Sequence, residues 1–158
     1  MPGGRAAKRR PADRRNTPML RVLAILIGVL AGAQAAVPAA DDAGVRAALT
    51  HYLQGHATGD PSHMRKAFLP TAHIEGLRDG KFVSMTLDEY CSRFPGKPAA
   101  DEATRRRTID SVDITGTAAM ARVTLVYGPT TLRDYFVLLK VDGEWKIANK
   151  TFSAVPAR

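Results

Sequence analysis

The first half of the chain carries apolar residues at helical spacing. After Asp41 and Asp42, whose carboxylates suit a helix N-terminus, one apolar stripe recurs every three or four residues and comprises Val45, Ala48, Leu49, Tyr52 and Leu53. Asp60 is predicted to cap a second short helix that begins at Pro61, and a third helix is predicted to cover 87–94. Between these two short helices, residues 72–77 alternate as a strand does.

From Arg105 onward the apolar period changes from 3.6 to 2. This alternation predicts four strands joined by short turns, at 105–115, 117–127, 131–141 and 144–153. The last turn, Asp142-Gly143, lies between two hydrophobic runs and has the composition of a tight β-hairpin. Helices followed by an antiparallel meander indicate an α+β domain, with the helices on one face of a curved sheet.

The N-terminal segment predicts a cleaved signal peptide. A basic stretch precedes an apolar run, and Ala33-Gln34-Ala35 provides the small residues of an A-x-A cleavage site. A shorter signal of the same layout begins at Met19. The chain is thereby divided into a signal peptide, a linker and a single domain, at 1–35, 36–40 and 41–158. The expected location is periplasmic or secreted, with membrane contact only through the leader. An uncleaved membrane anchor is the alternative.

Charge and cysteine content exclude several function classes. The formal charge is +8, but residues 1–35 hold six of these positive charges, so the domain is not expected to bind nucleic acid. A single cysteine, Cys91, excludes an internal disulfide and a thiolate zinc cluster. Zinc-site spacing is also lacking among the histidines, and neither a metal nor a cofactor is predicted. The four histidines are His51, His56, His63 and His73.

Four segments of the chain resemble the nuclear-transport-factor-2-like superfamily. They read YLQGHATGD, AFLPTAHIEG, TIDSVDITGTAAMARVTL and DYFVLLKVDGEWKIANKTF, and the resemblance covers about 41–153. Within that superfamily they are most similar to the small bacterial group named "Putative lumazine-binding". The resemblance implies a cone-shaped fold in which a strongly curved antiparallel sheet wraps around a long helix. It also implies an apolar pocket between sheet and helix, and a homodimer.

Side-chain parity selects the candidate ligand-binding residues. Tyr52 lies on the apolar helix face, where its hydroxyl either reaches a pocket or bonds to the backbone within the core. Trp145, Ile147 and Asn149 share one side of the last strand by simple alternation. If that side faces the core, Asn149 needs a ligand or a structural hydrogen-bond partner there. With Phe68, the residues Tyr52, Trp145 and Asn149 are the predicted ligand contacts.

Asp134 is the candidate for a functional carboxylate. It lies on an otherwise apolar side of its strand, and an enclosed carboxylate can act as a general base. A plain ion pair with Lys150 or Arg122 is the alternative. The neighbouring Tyr135 points to the opposite side of the strand, so both residues line one pocket only if a bulge intervenes.

Three functions are compatible with these observations. The first is an exported domain that holds a small apolar or aromatic molecule without converting it. The second is a cofactor-free isomerase, hydratase or cyclase, with Asp134 or His73 as the general base and Tyr52 or Asn149 as the hydrogen-bond donor. The third is a dimeric structural or interaction module. A homodimer is expected in any case, because both sides of the strand at 132–141 are apolar.

Overall fold

The computed structural model describes residues 37–156. The predicted signal peptide at 1–35, with its cleavage site and the alternative membrane anchor, lies outside the described residues. Among the helices of 37–156, none is both long enough and apolar enough to cross a membrane.

The described chain forms three α-helices, all in its first part: α1 Ala39–Thr58, α2 Pro61–Ala67 and α3 Leu87–Cys91. Asp41 and Asp42 lie in the first turn of α1, so this helix begins slightly before the predicted capping pair. The apolar stripe is confirmed, because its residues face the core, with Val45, Ala48, Leu49 and Tyr52 buried and Leu53 partly buried. α3 ends before the predicted limit of 94.

Local residues fix where the helices begin and end. Gly59 follows α1 with φ of 70°, a left-handed conformation that glycine adopts without the steric cost of a Cβ. The Gly96 N–H donates to the Gly59 carbonyl oxygen (2.8 Å), which attaches the loop after α3 to this helix end. The Asp60 side chain caps α2, and Thr86 and Glu89 form a reciprocal capping box at α3.

Six strands of the described chain form one sheet: β1 Phe68–Arg78, β2 Lys81–Thr86, β3 Arg106–Thr115, β4 Ala118–Tyr127, β5 Thr130–Val141 and β6 Glu144–Pro156. Their order across the sheet is β2-β1-β6-β5-β4-β3. All neighbouring strands are antiparallel except β1 and β6, which are parallel. The predicted meander is confirmed as β3 to β6, and its last strand joins it to the earlier β1–β2 hairpin.

The sheet is curved and open, and the core lies between its inner face and the helices. The inner face supplies alternating buried side chains from the last three strands, namely Ala121, Val123, Leu125, Phe136, Leu138, Trp145 and Ile147. These residues pack against the buried stripe of α1. The predicted α+β cone is therefore confirmed.

A β-bulge in β6 reverses the alternation of its side chains. The register with β5 skips Ala148, which is the extra residue. Trp145 and Ile147 face the core before the bulge, and Lys150 faces it afterwards. Asn149 consequently points to the outer face of the sheet, where it lines a surface pocket. The prediction that Asn149 shares a side with Trp145 and Ile147 is wrong for this reason.

Candidate ligand-binding cavity

A cavity of about 110 Å³ lies inside the cone, between α1, α3 and the inner face of the sheet. Tyr52 and His56 of α1 and Tyr90 of α3 form one wall. The other lining residues come mainly from the strands and comprise five apolar and four charged side chains, although the surface that the cavity presents is mostly apolar: Ile74, Arg78, Met85, Arg93, Leu125, Leu132, Asp134, Lys150 and Phe152. An apolar wall with a few converging polar groups is typical of a small-molecule pocket.

Tyr52, Asp134 and Lys150 form a hydrogen-bonded triad in the wall of this cavity. The Tyr52 hydroxyl donates to Asp134 Oδ2. The Lys150 amine donates to Tyr52 Oη (3.1 Å) and to Asp134 Oδ2 (3.3 Å). Asp134 is 1% exposed, Lys150 is 5% exposed, and Tyr52 is fully buried. Each charge therefore depends on the other, because removing one partner leaves an uncompensated charge inside the protein.

The second carboxylate oxygen of Asp134, Oδ1, is buried and accepts no hydrogen bond from any residue of 37–156. An unsatisfied buried polar atom costs about 1–3 kcal/mol and is uncommon in native proteins. Asp134 lines the cavity, so Oδ1 is an acceptor beside it whose hydrogen-bonding capacity the described residues leave unused.

Burial changes the ionisation of the other two members of the triad. It lowers the pKa of the Lys150 amine, and the attraction of Asp134 opposes this shift. It also raises the pKa of Tyr52 well above the usual value, so the phenol keeps its proton and acts as a donor. Lys150 can therefore provide an uncharged amine more readily than a solvent-exposed lysine.

His56 and Tyr90 form a second polar pair beside the triad. The His56 Nε2 and Tyr90 Oη atoms share a hydrogen bond of 2.9 Å. The imidazole also packs edge-on against Tyr52, with ring centroids 4.7 Å apart. Burial lowers the pKa of His56 well below its usual value, and the charge of Lys150 lowers it further. The imidazole is therefore neutral at pH 7.

Arginine side chains lie at the edge of the cavity and behind it. Arg78 and Arg93 line its exposed edge. Behind α1, Arg107 forms two hydrogen bonds to the Glu102 carboxylate (2.6 and 2.7 Å). Arg107 also donates to the His56 carbonyl oxygen (3.2 Å). The last turn of α1, which carries His56, is thus attached to the start of β3.

Two of the residues predicted for the site, Tyr52 and Asp134, are brought into contact. Phe68 lies in the core beside Tyr52, with ring centroids 6.0 Å apart, but its side chain does not line the cavity. Trp145 lies at the opposite end of α1, where its Nε1 donates to Asp41 Oδ1 (3.0 Å). The two predicted aromatic contacts, Phe68 and Trp145, thus support the fold around the cavity without reaching it.

His73 and Asn149 lie outside the cavity. They are register partners in β1 and β6, and His73 is exposed. The Asn149 amide donates to Glu75 Oε2 (3.3 Å). Neither side chain can therefore act as a base or donor toward a molecule in the cavity. Of the two predicted bases, Asp134 and His73, only Asp134 lines it.

Sequence reasoning missed three residues of the site: Lys150, His56 and Tyr90. Strand alternation places Lys150 on the outer side because it takes no account of the bulge. The ion-pair alternative for Asp134 was the signal for Lys150, and that pair is confirmed, whereas Arg122 contacts Asp110. His56 follows Tyr52 by four residues, a spacing that places both side chains on the same helix face.

Metal ligation has little support within 37–156. No group of three or more His, Cys, Asp or Glu side chains in this part of the chain is arranged to hold a metal ion. His51 and His63 approach each other, with their Nδ1 atoms 3.4 Å apart. Two imidazoles alone fall short of the three or four protein ligands of a zinc site. Cys91 is buried, as expected for a small apolar residue.

The outer face of the sheet carries a patch of exposed apolar side chains. Met120 is 61% exposed, Tyr135 49%, Val137 48% and Leu139 38%. Met120 and Val137 are direct neighbours on β4 and β5. A surface pocket of about 280 Å³ on this face is lined in part by Met120, Tyr135 and Val137. Asp134 and Lys150 line the inner cavity, whereas the polar residues of the outer pocket include Asp113, Arg122 and Asn149.

Comparisons with known proteins identify similar chains. The family model described as "Putative lumazine-binding" matches residues 40–153. The solved NTF2-like protein from Methylobacillus flagellatus KT is 31% identical, with a TM-score of 0.66, and the match covers 75% of this chain and 95% of that chain. A second, from Shewanella baltica OS155, is 26% identical, with a TM-score of 0.68, and the match covers 77% and 99% of the two chains. A protein named aldolase FrzH, from a Cladobotryum species, is 23% identical over 107 residues, or 66% of this chain and 84% of that protein.

Proposed function

This chain belongs to the Putative lumazine-binding family of the nuclear-transport-factor-2-like superfamily, and we propose that it binds a small molecule in its inner cavity. The molecule is mainly apolar, carries one hydrogen-bond donor and is released unconverted. The observation that carries this proposal is Asp134 Oδ1, a buried acceptor in the cavity wall that no residue of the described chain satisfies.

The triad fixes the orientation of the Asp134 carboxylate and therefore the direction from which Oδ1 can accept a hydrogen bond. Its Oδ2 already receives hydrogen bonds from Tyr52 and Lys150, so the carboxylate cannot turn without breaking both. A ligand therefore meets an acceptor that is already ordered, and binding costs little side-chain entropy there. A hydrogen bond to a charged group contributes about 1.5–3 kcal/mol, which corresponds to roughly 10- to 100-fold in affinity.

The volume of the cavity sets the size of the ligand. An apolar cavity of about 150 Å³ holds one benzene molecule, and the inner cavity measures about 110 Å³. It is bounded at its exposed edge by Arg78 and Arg93. Because this volume is smaller than that of the benzene cavity, we infer a ligand no larger than a single ring or a short branched chain, part of which lies at the exposed edge. The two fused rings of a lumazine exceed this space.

Phenol and toluene test the role of Oδ1, because they have nearly the same shape and differ by one donor. We expect calorimetric titration of the wild type to show tighter binding of phenol, by about tenfold or more. The matched control is an apolar triple variant, Tyr52→Phe/Asp134→Leu/Lys150→Met, in which the two ligands should bind equally. Equal affinities in the wild type, or no binding of either ligand, contradict the proposal.

A second candidate function is cofactor-free acid–base catalysis with Asp134 as the base. The unsatisfied Oδ1 and the neighbouring Tyr52 hydroxyl favour it, since isomerases, hydratases and cyclases need a base and a donor at one carbonyl. The relative named aldolase FrzH supports the same chemistry. In D₂O, catalysis would accelerate deuterium exchange at the α-carbons of cyclopentanone, followed by NMR, and Asp134→Asn should abolish the acceleration. Exchange at the buffer rate rejects catalysis and leaves binding intact.

We also propose that the domain is exported to the periplasm or secreted. The support is the sequence of residues 1–35, in which a basic stretch and an apolar run precede an A-x-A site. N-terminal sequencing of the protein from its native compartment should give a chain that begins after Ala35 or nearby. A full-length chain in the membrane fraction would instead favour the uncleaved anchor.

The exposed outer patch supports a homodimer as a further part of the proposal. Met120, Tyr135, Val137 and Leu139 form an apolar surface on β4 and β5, and contiguous apolar surface of this kind commonly marks an interface. A protein that served only as an interaction module would need the outer apolar face but not the inner cavity. The buried triad next to the cavity favours a binding domain that also dimerises.

A further inference from the structure

The Lys150 amine can form a covalent bond to a ligand in addition to hydrogen bonds. We propose that Lys150 forms an imine with the carbonyl group of a small apolar aldehyde or ketone held in the cavity. This inference rests on the proposed binding cavity and adds a second class of ligand, one that reacts with the Lys150 amine and carries no donor for Asp134 Oδ1.

The placement of the Lys150 amine carries the inference. Lys150 is one of the residues that line the cavity, and its Nζ lies 3.1 Å from Tyr52 Oη and 3.3 Å from Asp134 Oδ2. The rings of Tyr90 and Phe152 lie around it, with centroids 5.2 and 5.5 Å from Nζ. A carbonyl compound inside the cavity therefore meets the amine and a phenol hydroxyl together.

Stability alone is a poor reason for this buried ion pair. Replacing such a pair by apolar residues of similar volume is often neutral or stabilising. The Tyr52–Asp134–Lys150 triad resembles the arrangement of an activated nucleophile, in which a base and an orienting group adjoin the reacting atom. Burial also lowers the pKa of Lys150, which favours the uncharged amine that attacks a carbonyl.

The reaction balances without an oxidant, reductant or cofactor. The Lys150 ammonium first gives one proton to Asp134, and the nitrogen lone pair forms a C–N bond to the carbonyl carbon. The carbonyl oxygen takes up a proton with help from the Tyr52 hydroxyl and becomes the alcohol of a carbinolamine. The nitrogen lone pair then forms the second C–N bond as the C–O bond breaks, and Asp134 returns its proton to the departing oxygen, which leaves as water. The third hydrogen of the original ammonium stays on the iminium nitrogen, whose charge the Asp134 carboxylate balances. The apolar cavity wall limits hydrolysis of the imine by bulk water.

Benzaldehyde with sodium cyanoborohydride tests the inference, because the hydride converts an imine into a stable secondary amine. Peptide mass mapping then reports which lysines carry the benzyl group. Lys146, on the same strand and partly exposed, is the matched control. We expect Lys150 to be modified about tenfold faster than Lys146, in a saturable manner. Toluene should suppress the modification of Lys150 and leave that of Lys146 unchanged.

Two variants distinguish imine formation from simple burial. Lys150→Arg keeps a cation beside Asp134 and should carry no label at position 150. Tyr52→Phe keeps the carboxylate and amine and should slow labelling of Lys150 by about 10²-fold. If either variant fails to fold, competition by toluene in the wild type still decides the outcome.

The results separate failure of this inference from failure of the proposed function. Toluene binding without labelling of Lys150, or labelling that toluene does not suppress, overturns the imine and leaves the binding site standing. Absence of both toluene binding and Lys150 labelling overturns the two together.

Discussion

Replacing Lys150 alone should destabilise the protein more than replacing the whole triad with apolar residues. Lys150→Met removes the cation and leaves the Asp134 carboxylate, which is 1% exposed, without a charge partner. The apolar triple variant Tyr52→Phe/Asp134→Leu/Lys150→Met removes the cation, the carboxylate and the hydroxyl that bonds to it. The single variant thus changes one side chain where the triple variant changes three, but its electrostatic cost to the free energy of unfolding is larger.

The magnitudes follow from the geometry of the triad. Lys150 donates to both Tyr52 Oη and Asp134 Oδ2, so its loss removes two hydrogen bonds and the counter-charge. Breaking a buried pair from one side costs about 3–5 kcal/mol. Exchange of the complete polar group for apolar residues of similar volume is neutral or stabilising by about 1–4 kcal/mol. We therefore expect a gap of at least about 3 kcal/mol between the two variants.

Urea unfolding at pH 7, followed by circular dichroism, measures this gap. The free energy of unfolding is extrapolated to water, and a similar slope for all three proteins shows that the extent of unfolding is unchanged. A second comparison, Lys146→Met, removes a lysine of the same strand that pairs with the exposed Glu144. Its effect should stay below about 1 kcal/mol. If Lys150→Met is as stable as the triple variant, the ion pair is not buried as described.

Three further predictions concern pH, a helix end and the outer face. Because burial lowers the pKa of His56, the unfolded chain binds a proton below about pH 6.5 that the folded chain does not. The free energy of unfolding should then fall with decreasing pH by up to about 1.4 kcal/mol per pH unit. His56→Gln should reduce this pH dependence, measured by urea unfolding at pH 7.5 and 5.5. An unchanged pH dependence would contradict the lowered pKa of His56. Gly59→Ala should cost more than the roughly 1–2 kcal/mol of a left-handed residue, because the added Cβ lies 2.1 Å from the Lys97 carbonyl oxygen. Gly80→Ala, at a similar φ but in open space, should cost only that conformational amount, and equal thermal shifts for the two would refute the contact. Val137→Lys should convert a dimer to a monomer in light scattering, whereas a monomeric wild type at high micromolar concentration would exclude this interface.

The fold could be predicted from the sequence because its signals are local. The helical stripe of α1 and the period-2 alternation of β3 to β6 each report which side chains face a core. Asp142 and Gly143 adopt positive φ of 51° and 84°, as the tight hairpin predicted there requires. These local signals also placed Asp134 and Tyr135 on opposite sides of β5, as the structure has them, but they did not show which side faces the core.

The candidate site could be predicted only in part because it depends on a bulge and on contacts between distant segments. Simple alternation through Ala148 exchanges the two sides of β6, so it assigns Asn149 to the pocket and Lys150 to the outside. Nothing in the local composition marks the extra residue, since the bulge is defined by pairing with β5. Tyr90 joins the cavity from α3, and its sequence distance from Tyr52 hides their proximity.

The most direct test of a ligand site inside the cone is NMR of the protein labelled with ¹³C at the methionine methyl groups. Met85 lines the inner cavity, Met120 lies on the outer face, and Met64 is buried in the core without lining either. The account predicts that phenol shifts the Met85 resonance in a saturable manner and leaves Met120 and Met64 in place. A saturable shift of Met120 with Met85 unchanged would contradict it.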